Sequence, residues 1–444
     1  MPPRRLRPPR VPVTLRVDGR PVAADEGEPL AVSLVAAGRT VFGRSVKYHR
    51  PRGPVCFAGR CDGCLMRVEG TPSVMTCRVP ARDGMIASTQ NVIGSARVDL
   101  LGATDYVFPG GMNHHEMFTW NRQVNRMMQK VARRIAGIGL LPDQAEEPLP
   151  SPVRPVDVLV LGAGPAGLAA AYRLAKGGRR VEVVDEETAP AYSLRLRGRV
   201  REAQDRAAQA LSAGALLRPR ASAVSVYPPW EDAEGASAGA AAPPVRLEPL
   251  VVCVDGPEGL VRYRPTLLVV ATGRQAGAAA FEGNDTPGVF SHQGALRLLA
   301  AGVLPGERVV CAGDAAEMAY LVDVLQQAGA EVVGPVPLHA LRAVRGRPDV
   351  GGADLEQGGQ LRREDCDAVV VGPRPSAVFE LAAQAGVGVR WAADHFALEV
   401  GDHGATAVPD VRVVGAAAGA TALADAIDQA RGAAEAALRE GAAR

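Results

Sequence analysis

The sequence predicts a chain that is α+β in a small N-terminal region and α/β through the remainder, and three observations predict it. Cys56, Cys61, Cys64 and Cys77 gather on one glycine-bearing stretch that follows alternating, strand-like residues. An apolar strand runs directly into Gly162, Gly164 and Gly167 and then into an alanine-rich helix. A third stretch, residues 305–334, repeats the rhythm of strand, turn, helix and strand with fewer glycines. With 444 residues, 47% of them hydrophobic, two to three domains can each bury a core.

In the N-terminal region Val13, Leu15 and Val17 alternate with polar residues, Asp18-Gly19 is a hairpin turn, and Val22 resumes the return strand. A short helix through Leu30, Leu34 and Val35 closes at Gly38 as its left-handed C-terminal residue. A hairpin, a helix and then a cysteine loop is the order of a ferredoxin-like β-grasp domain, assigned to residues 1–105. The spacing C-x4-C-x2-C with a more distant fourth thiol is the plant-type pattern for a [2Fe-2S] cluster. Two irons need four soft anionic ligands on a sharply bent backbone, and Gly59 and Gly63 permit the bend. The same bend aims N–H groups at the cluster sulfurs. The alternatives are a disulfide pair or a closed zinc site, and a zinc ribbon would more usually show two C-x2-C pairs where one is present. Cys56, Cys61, Cys64 and Cys77 are therefore the expected metal ligands, on a surface loop from which electrons can leave.

A formal charge of +2 gives no electrostatic case for nucleic acid or an anionic membrane surface. The positive N-terminus lacks the apolar core of a signal peptide, and no segment runs 18 residues without polar interruption, so a cytoplasmic chain with no membrane span is expected. Cys253, Cys311 and Cys366 are scattered and suggest no disulfide framework.

Residues 106–155 form the expected helical connector and linker. Trp120, Val124, Met127, Met128, Val131 and Ile135 recur at helical intervals behind Thr119 as N-cap, giving an amphipathic helix expected to pack between domains. His114 and His115 are adjacent, with no convergent third ligand, and are taken as loop or interface residues. The four prolines of residues 146–155 make a semi-rigid linker.

The fingerprint then assigns work to each residue. Gly162 makes the tight turn, Gly164 lets the backbone approach a pyrophosphate, with Pro165 and Ala166 opening the helix, and Gly167 lets helix and strand pack closely. A second strand, 181–184, ends at Asp185 and Glu186, where a carboxylate can accept from adenosine ribose hydroxyls. A proline- and alanine-rich excursion, 228–244, reads as an exposed insertion. The strand 266–273 ends in Thr272-Gly273 and resembles the ATG segment of two-dinucleotide flavoproteins. In the third stretch only Gly313 of a fingerprint survives; the next glycine positions hold Ala315 and Met318, and Asp314 and Glu317 add negative charge where a pyrophosphate would sit. This favours a retained fold whose NAD(P) site is lost or altered. Residues 367–386 resemble the segment returning to the first dinucleotide domain. The last strand and helix resemble those that contact FAD, with Gly415-Ala416 where most such enzymes have glycine-aspartate. The domains expected are 156–290 for the first part of the FAD-binding domain, 291–385 for the NAD-like domain and 386–444 for the end of the FAD-binding domain. No C-x-x-C occurs in this half, which argues against a disulfide reductase.

The string GRSVKYHRPRG, with Arg44, Lys47, His49, Arg50 and Arg52, reads either as a solvated basic loop or as charge that meets a cofactor phosphate, the cluster or a partner. It closely resembles the N-terminal domain of the α subunit of heterotetrameric sarcosine oxidase and its relatives, which include hydrogen cyanide synthase and hydroxyproline dehydrogenase subunits. The resemblance covers nearly the whole chain. The sarcosine oxidase α subunit, as the resemblance has it, lacks the cluster cysteines and continues into a folate-binding domain, whereas this sequence has the four cluster cysteines and ends at Arg444. The arrangement looks more like separate iron–sulfur and FAD subunits fused into one chain. The resemblance implies FAD, a catalytic flavoprotein β subunit of the amino-acid oxidase type, room for a further small subunit, and an electron-transfer role in a heteromeric amino-acid or amine dehydrogenase. No acid/base pair for such chemistry is visible, and no catalytic residue is assigned. The alternatives are a self-sufficient NAD(P)H-dependent ferredoxin-type reductase and a structural subunit whose dinucleotide is redox-silent.

Overall fold

The structure is a computed structural model that describes residues 3–45, 49–92, 94–98, 120–135, 142, 150–227, 251–277, 279–392 and 395–443. Lys47, His114, His115, Thr119, residues 146–149 of the linker and the excursion 228–244 lie outside these. Packing divides the chain into two compact units, residues 1–146 with 278–374, and residues 147–277 with 375–444.

In the first unit, Pro12–Val17 and Arg20–Asp25 form the hairpin, with Asp18 at φ +50° and Gly19 at φ +74° as a two-residue turn of this hand requires. Alternate residues of Pro12–Val17 are buried, and the helix Leu30–Ala36 lays Leu30, Leu34 and Val35 into the same core before Gly38 ends it at φ +77°. The strand Ile86–Ser88 pairs in parallel with Pro12–Val17 and antiparallel with Leu65–Val68, which pairs with Thr71–Met75. This is the mixed five-stranded sheet of a β-grasp, and the cysteine loop leads directly into Leu65–Val68.

The segment 278–374 belongs to the same unit. Val289–Ser291, Ala368–Gly372, Arg308–Gly313 and Glu331–Val336 lie in that order in a parallel sheet. The helices His292–Ala300 and Ala315–Gln327 follow its first and second strands in sequence. A three-stranded antiparallel meander, Leu341–Arg345, Gly352–Gln357 and Gln360–Glu364, completes the segment. One hydrophobic core runs through both parts, joining Leu15, Leu34, Phe42 and Met66 to Phe290, Leu298, Leu321 and Val370. The short strand Arg4–Arg5 adds a backbone tie by pairing antiparallel with Val303–Leu304.

The second unit is built on a seven-stranded sheet. Val153–Leu161 lies between parallel neighbours, Val181–Asp185 on one side and Gly259–Val270 on the other, so the chain order reverses at its C-terminal end. That reversal leaves a crevice where ligands of such sheets bind, and Gly162 stands in it. Leu216–Pro219 and Val411–Val413 extend the parallel array, and Val251–Gly256 with Ser222–Tyr227 form its antiparallel edge. The helices Pro165–Lys176 and Leu423–Ala443 share a core of Leu168, Leu174, Ala430 and Ala434 with the sheet. Their small residues permit close approach, and a side chain at Gly177 would meet Leu438 at 2.6 Å.

The connector helix spans Arg122–Ile135, and its cap is Asn121, whose side chain accepts from the N–H groups of Gln123 and Val124. Trp120 and Met127 of its apolar face are exposed. Among the described residues no helix is long and apolar enough to cross a membrane.

Because the first unit has one core, Leu298→Ala should cost about 2–5 kcal/mol by urea unfolding and lower protection in both parts together. Hydrogen exchange checks this: amides of Pro12–Val17 and of Arg308–Gly313 should speed up in parallel, and an effect confined to the latter would count against a shared core.

Candidate functional site

The four expected metal ligands come together as two pairs. Cys56 and Cys61 are half-buried with their sulfurs 3.3 Å apart, and the buried Cys64 and Cys77 share a hydrogen bond. In each pair one thiol donates to the other. The bond from the Cys56 thiol lowers Cys61 and raises Cys56 itself; Cys77 likewise lowers Cys64 and is raised. Among the described residues no three His, Cys, Asp or Glu side chains converge on a single ion. Two thiol pairs instead suit two irons with two thiolates each, the donor set of a [2Fe-2S] cluster. All seven cysteines are free, which removes the disulfide alternative.

The backbone supports this donor set. Gly59 sits at φ +73° and donates to Cys77 Sγ at 3.2 Å, while Ala58 and Arg60 donate to Cys56 Sγ at 3.4 Å each. Gly63 is required for a different reason, since any side chain there would collide with the Gly53 carbonyl. Among the described residues of the basic string, the arginines have partners within the chain. Arg44 donates to the carbonyls of His49, Ala96 and Arg97, and Arg50 and Arg52 approach Asp285 at 3.9 and 3.3 Å. Its charges anchor the loop region to the segment 278–374, which the sequence alone did not reveal.

The first fingerprint is shaped for a dinucleotide. Gly162 is at φ +107°, and a Cβ there would lie 2.5 Å from the Ala271 carbonyl; one at Gly167 would overlap the Gly162 carbonyl. A Cβ on Gly164 would meet nothing within 4 Å, so open space lies where a pyrophosphate would approach. Gly164 is the N-cap of Pro165–Lys176, with no side-chain cap, Pro165 at the first turn and no acidic residue in it. Its N–H groups and the positive end of the helix dipole are thus left to a ligand.

Asp185 ends the second strand as expected, but both its carboxylate oxygens already accept backbone N–H groups, from Ala163 and Glu187. Burial pushes it up to about 6 against those two bonds. It therefore braces the glycine turn, with lone pairs remaining for ribose hydroxyls. Glu186 beside it is half-buried. Thr272 donates to the Val378 carbonyl at 2.7 Å and the Gly273 carbonyl accepts from Val378, beside the antiparallel pair Arg274–Ala276 and Pro375–Ala377. Gly415, at φ +73°, donates to Gln429 Oε1 at 2.9 Å, and a Cβ there would lie 2.5 Å from that of Ala166. Ala416 follows it in a turn of 3-10 helix and brings no carboxylate. Gln429 was missed by sequence reading, because a glutamine on a long helix has no motif.

At the second fingerprint the helix start is capped by a residue of its own turn. Asp314 caps Ala315–Gln327 and accepts at 3.0 Å from both Ala316 and Glu317, with Glu317 adding negative charge in the first turn. Met318 is fully buried, and its sulfur would lie 2.6 Å from a Cβ on Gly372.

A dinucleotide cradle and a four-thiolate donor set are together the equipment of an oxidoreductase, and the chain is one that carries FAD and a [2Fe-2S] cluster. Residues 10–92 match the family described as a 2Fe-2S iron-sulfur cluster binding domain, and residues 156–333 match Pyridine nucleotide-disulphide oxidoreductase. The chain is similar to sarcosine oxidase subunit alpha, 28% identical to that of Rhizobium meliloti (strain 1021) over 99% of this chain and 47% of the relative. It is also 28% identical to that of Corynebacterium sp. (strain P-1) over 68% of this chain and 28% of the relative. The chain thus spans about half or less of the curated relatives it matches. L-proline dehydrogenase from P. horikoshii shares the fold, with a TM-score of 0.75 and 20% identity over 100% of this chain and 76% of that one.

Two outcomes test these sites. Gly167→Val should abolish flavin retention, read as loss of the visible flavin spectrum, while Cys61→Ser should remove the iron and leave the flavin. Asp185 supplies a pH signature in the cofactor-free chain. Its ordinary value is 3.8 and its folded value about 6, so between them the folded state holds a proton that the unfolded state releases. The stability it contributes is present below about pH 4 and lost as pH rises past 6, by roughly 2–3 kcal/mol. Thermal melts from pH 4 to 7 should therefore show the wild type falling relative to Asp185→Asn, and parallel profiles would contradict the buried carboxylate.

Proposed function

We propose that this chain is the electron-transfer subunit of a heteromeric amino-acid or amine dehydrogenase or oxidase, receiving electrons from a catalytic flavoprotein partner and passing them to an acceptor through FAD and the [2Fe-2S] cluster. A flavin takes up two electrons as a hydride and releases them singly, and a two-iron cluster carries one at a time. In this reading Gly162, Gly164, Pro165, Ala166 and Gly167 present the helix N-terminus to the FAD pyrophosphate. Asp185 and Glu186 face its ribose, Thr272 and Gly273 line the return crossing, Gly415 and Ala416 approach the flavin end, and Cys56, Cys61, Cys64 and Cys77 hold the cluster.

The observation that carries the proposal is the contrast between the two fingerprint helices. Pro165–Lys176 keeps its N-terminal N–H groups for a ligand, whereas Ala315–Gln327 spends its own on Asp314. A self-sufficient reductase needs the second site to accept NAD(P)H, and a carboxylate already occupies the place of the pyrophosphate. Electrons must then come from elsewhere, and the relatives named as subunits supply the precedent for a partner.

An anaerobic titration of the purified chain with NADH and NADPH, following flavin and cluster absorbance, tests this. The expected result is that both centres stay oxidised with either nucleotide and bleach with dithionite. Rapid bleaching by a nicotinamide nucleotide would overturn the proposal, and a flavin that resists dithionite would support a redox-silent subunit.

A further inference from the structure

Val55 immediately precedes the first cluster cysteine, and its carbonyl is held by a remote segment. Its carbonyl accepts from the Ser291 backbone N–H at 3.0 Å and from the Ser291 hydroxyl at 3.3 Å. The sulfur of the next residue, Cys56, accepts from the Ala58 and Arg60 N–H groups at 3.4 Å each. The Ser291 oxygen in turn accepts from Gly294 N–H at 3.0 Å, which makes it the N-cap of His292–Ala300. On the other side of Cys56, the Phe57 ring lies 6.1 Å from that of Phe290. The residues flanking Cys56 therefore rest on two consecutive residues of the strand Val289–Ser291, more than two hundred positions away. The approach is close enough that any side chain on Gly294 would collide with the Val55 carbonyl.

Neither FAD binding nor the four thiols explain this arrangement. An N-cap serine needs only its own helix, yet Ser291 also donates to the cysteine loop. We propose that Ser291 and Gly294 are positioning residues of the iron–sulfur centre, so that the segment 278–374, its nucleotide position closed, serves as the seat of the cluster loop. A donor on the Val55 carbonyl fixes the orientation of the peptide that leads into Cys56, so the Cys56 sulfur is held firmly against the Ala58 and Arg60 N–H groups that donate to it. Donors to the ligand sulfurs stabilise the more negative, reduced cluster and raise its potential. Gly294 provides the room for the contact.

The inference rests on the cluster assigned under the proposed function but needs no partner subunit. The test uses the full chain and Ser291→Gly, since glycine still starts a helix and the variant should fold. Three quantities are read: the rate of iron release to a chelator, the electron paramagnetic resonance spectrum after dithionite, and the midpoint potential. Ser291→Gly should release iron on the order of tenfold faster, the usual size of such an outer-shell effect, with shifted g-values and a more negative potential. Ser291→Thr, which keeps the hydroxyl, should restore all three. A Ser291→Gly chain that matches wild type in all three overturns the inference alone, whereas a wild-type chain without iron overturns the cluster assignment together with it.

Discussion

A helix begins with backbone N–H groups that its own residues leave unsatisfied, and three helices of this chain satisfy them in three ways. Pro165–Lys176 starts at Gly164 with no side-chain cap and keeps its donors for an anion. Ala315–Gln327 starts at Asp314, whose carboxylate takes two of the donors and neutralises the dipole. His292–Ala300 starts at Ser291, whose hydroxyl accepts from its own helix and donates to the cysteine loop. The first use leaves donors open to an anion, the second satisfies them within the helix, and the third joins the cysteine loop to a remote segment. The same constraint thus separates two units that share the strand–turn–helix pattern.

Close approach decides the shape of the first fingerprint turn. Gly162, Gly167 and Gly415 stand where an added methyl would meet the Ala271 carbonyl, the Gly162 carbonyl and Ala166. The turn, helix and final segment can close only around hydrogen there. The degenerate unit keeps Gly313 packed against Gly372, so its turn still forms, but it buries Met318 beside Gly372. Its fold survives because a parallel sheet needs covered faces, and a buried methionine covers one as well as a glycine-spaced ligand helix would.

The iron–sulfur loop shows how little of a metal site its ligands explain. Four thiols in two pairs set the chemistry, but the loop is held by Gly59 at a positive φ, by Gly63 against Gly53, and by contacts from Ser291, Phe290 and Asp285. A small domain gains stiffness by sharing its core with a larger neighbour, and Leu15, Phe42 and Met66 share theirs with Phe290 and Leu298.

Sequence alone determined what depends on local spacing. The Asp18-Gly19 hairpin, the helix ending near Gly38, the cysteine ligand pattern and the first fingerprint were legible because their physics acts within a few residues. It also marked the second fingerprint as degenerate, since Asp314 and Met318 stand at fixed offsets from Gly313. Tertiary structure alone decided the long-range partners. It showed that Asn121 caps the connector helix, that Gln429 holds Gly415, that Arg44, Arg50 and Arg52 anchor the cysteine loop region, and that Ser291 meets Val55. No periodicity encodes a contact across more than two hundred residues; it exists only once both segments have packed, because a hydrogen bond depends on distance in space and not along the chain.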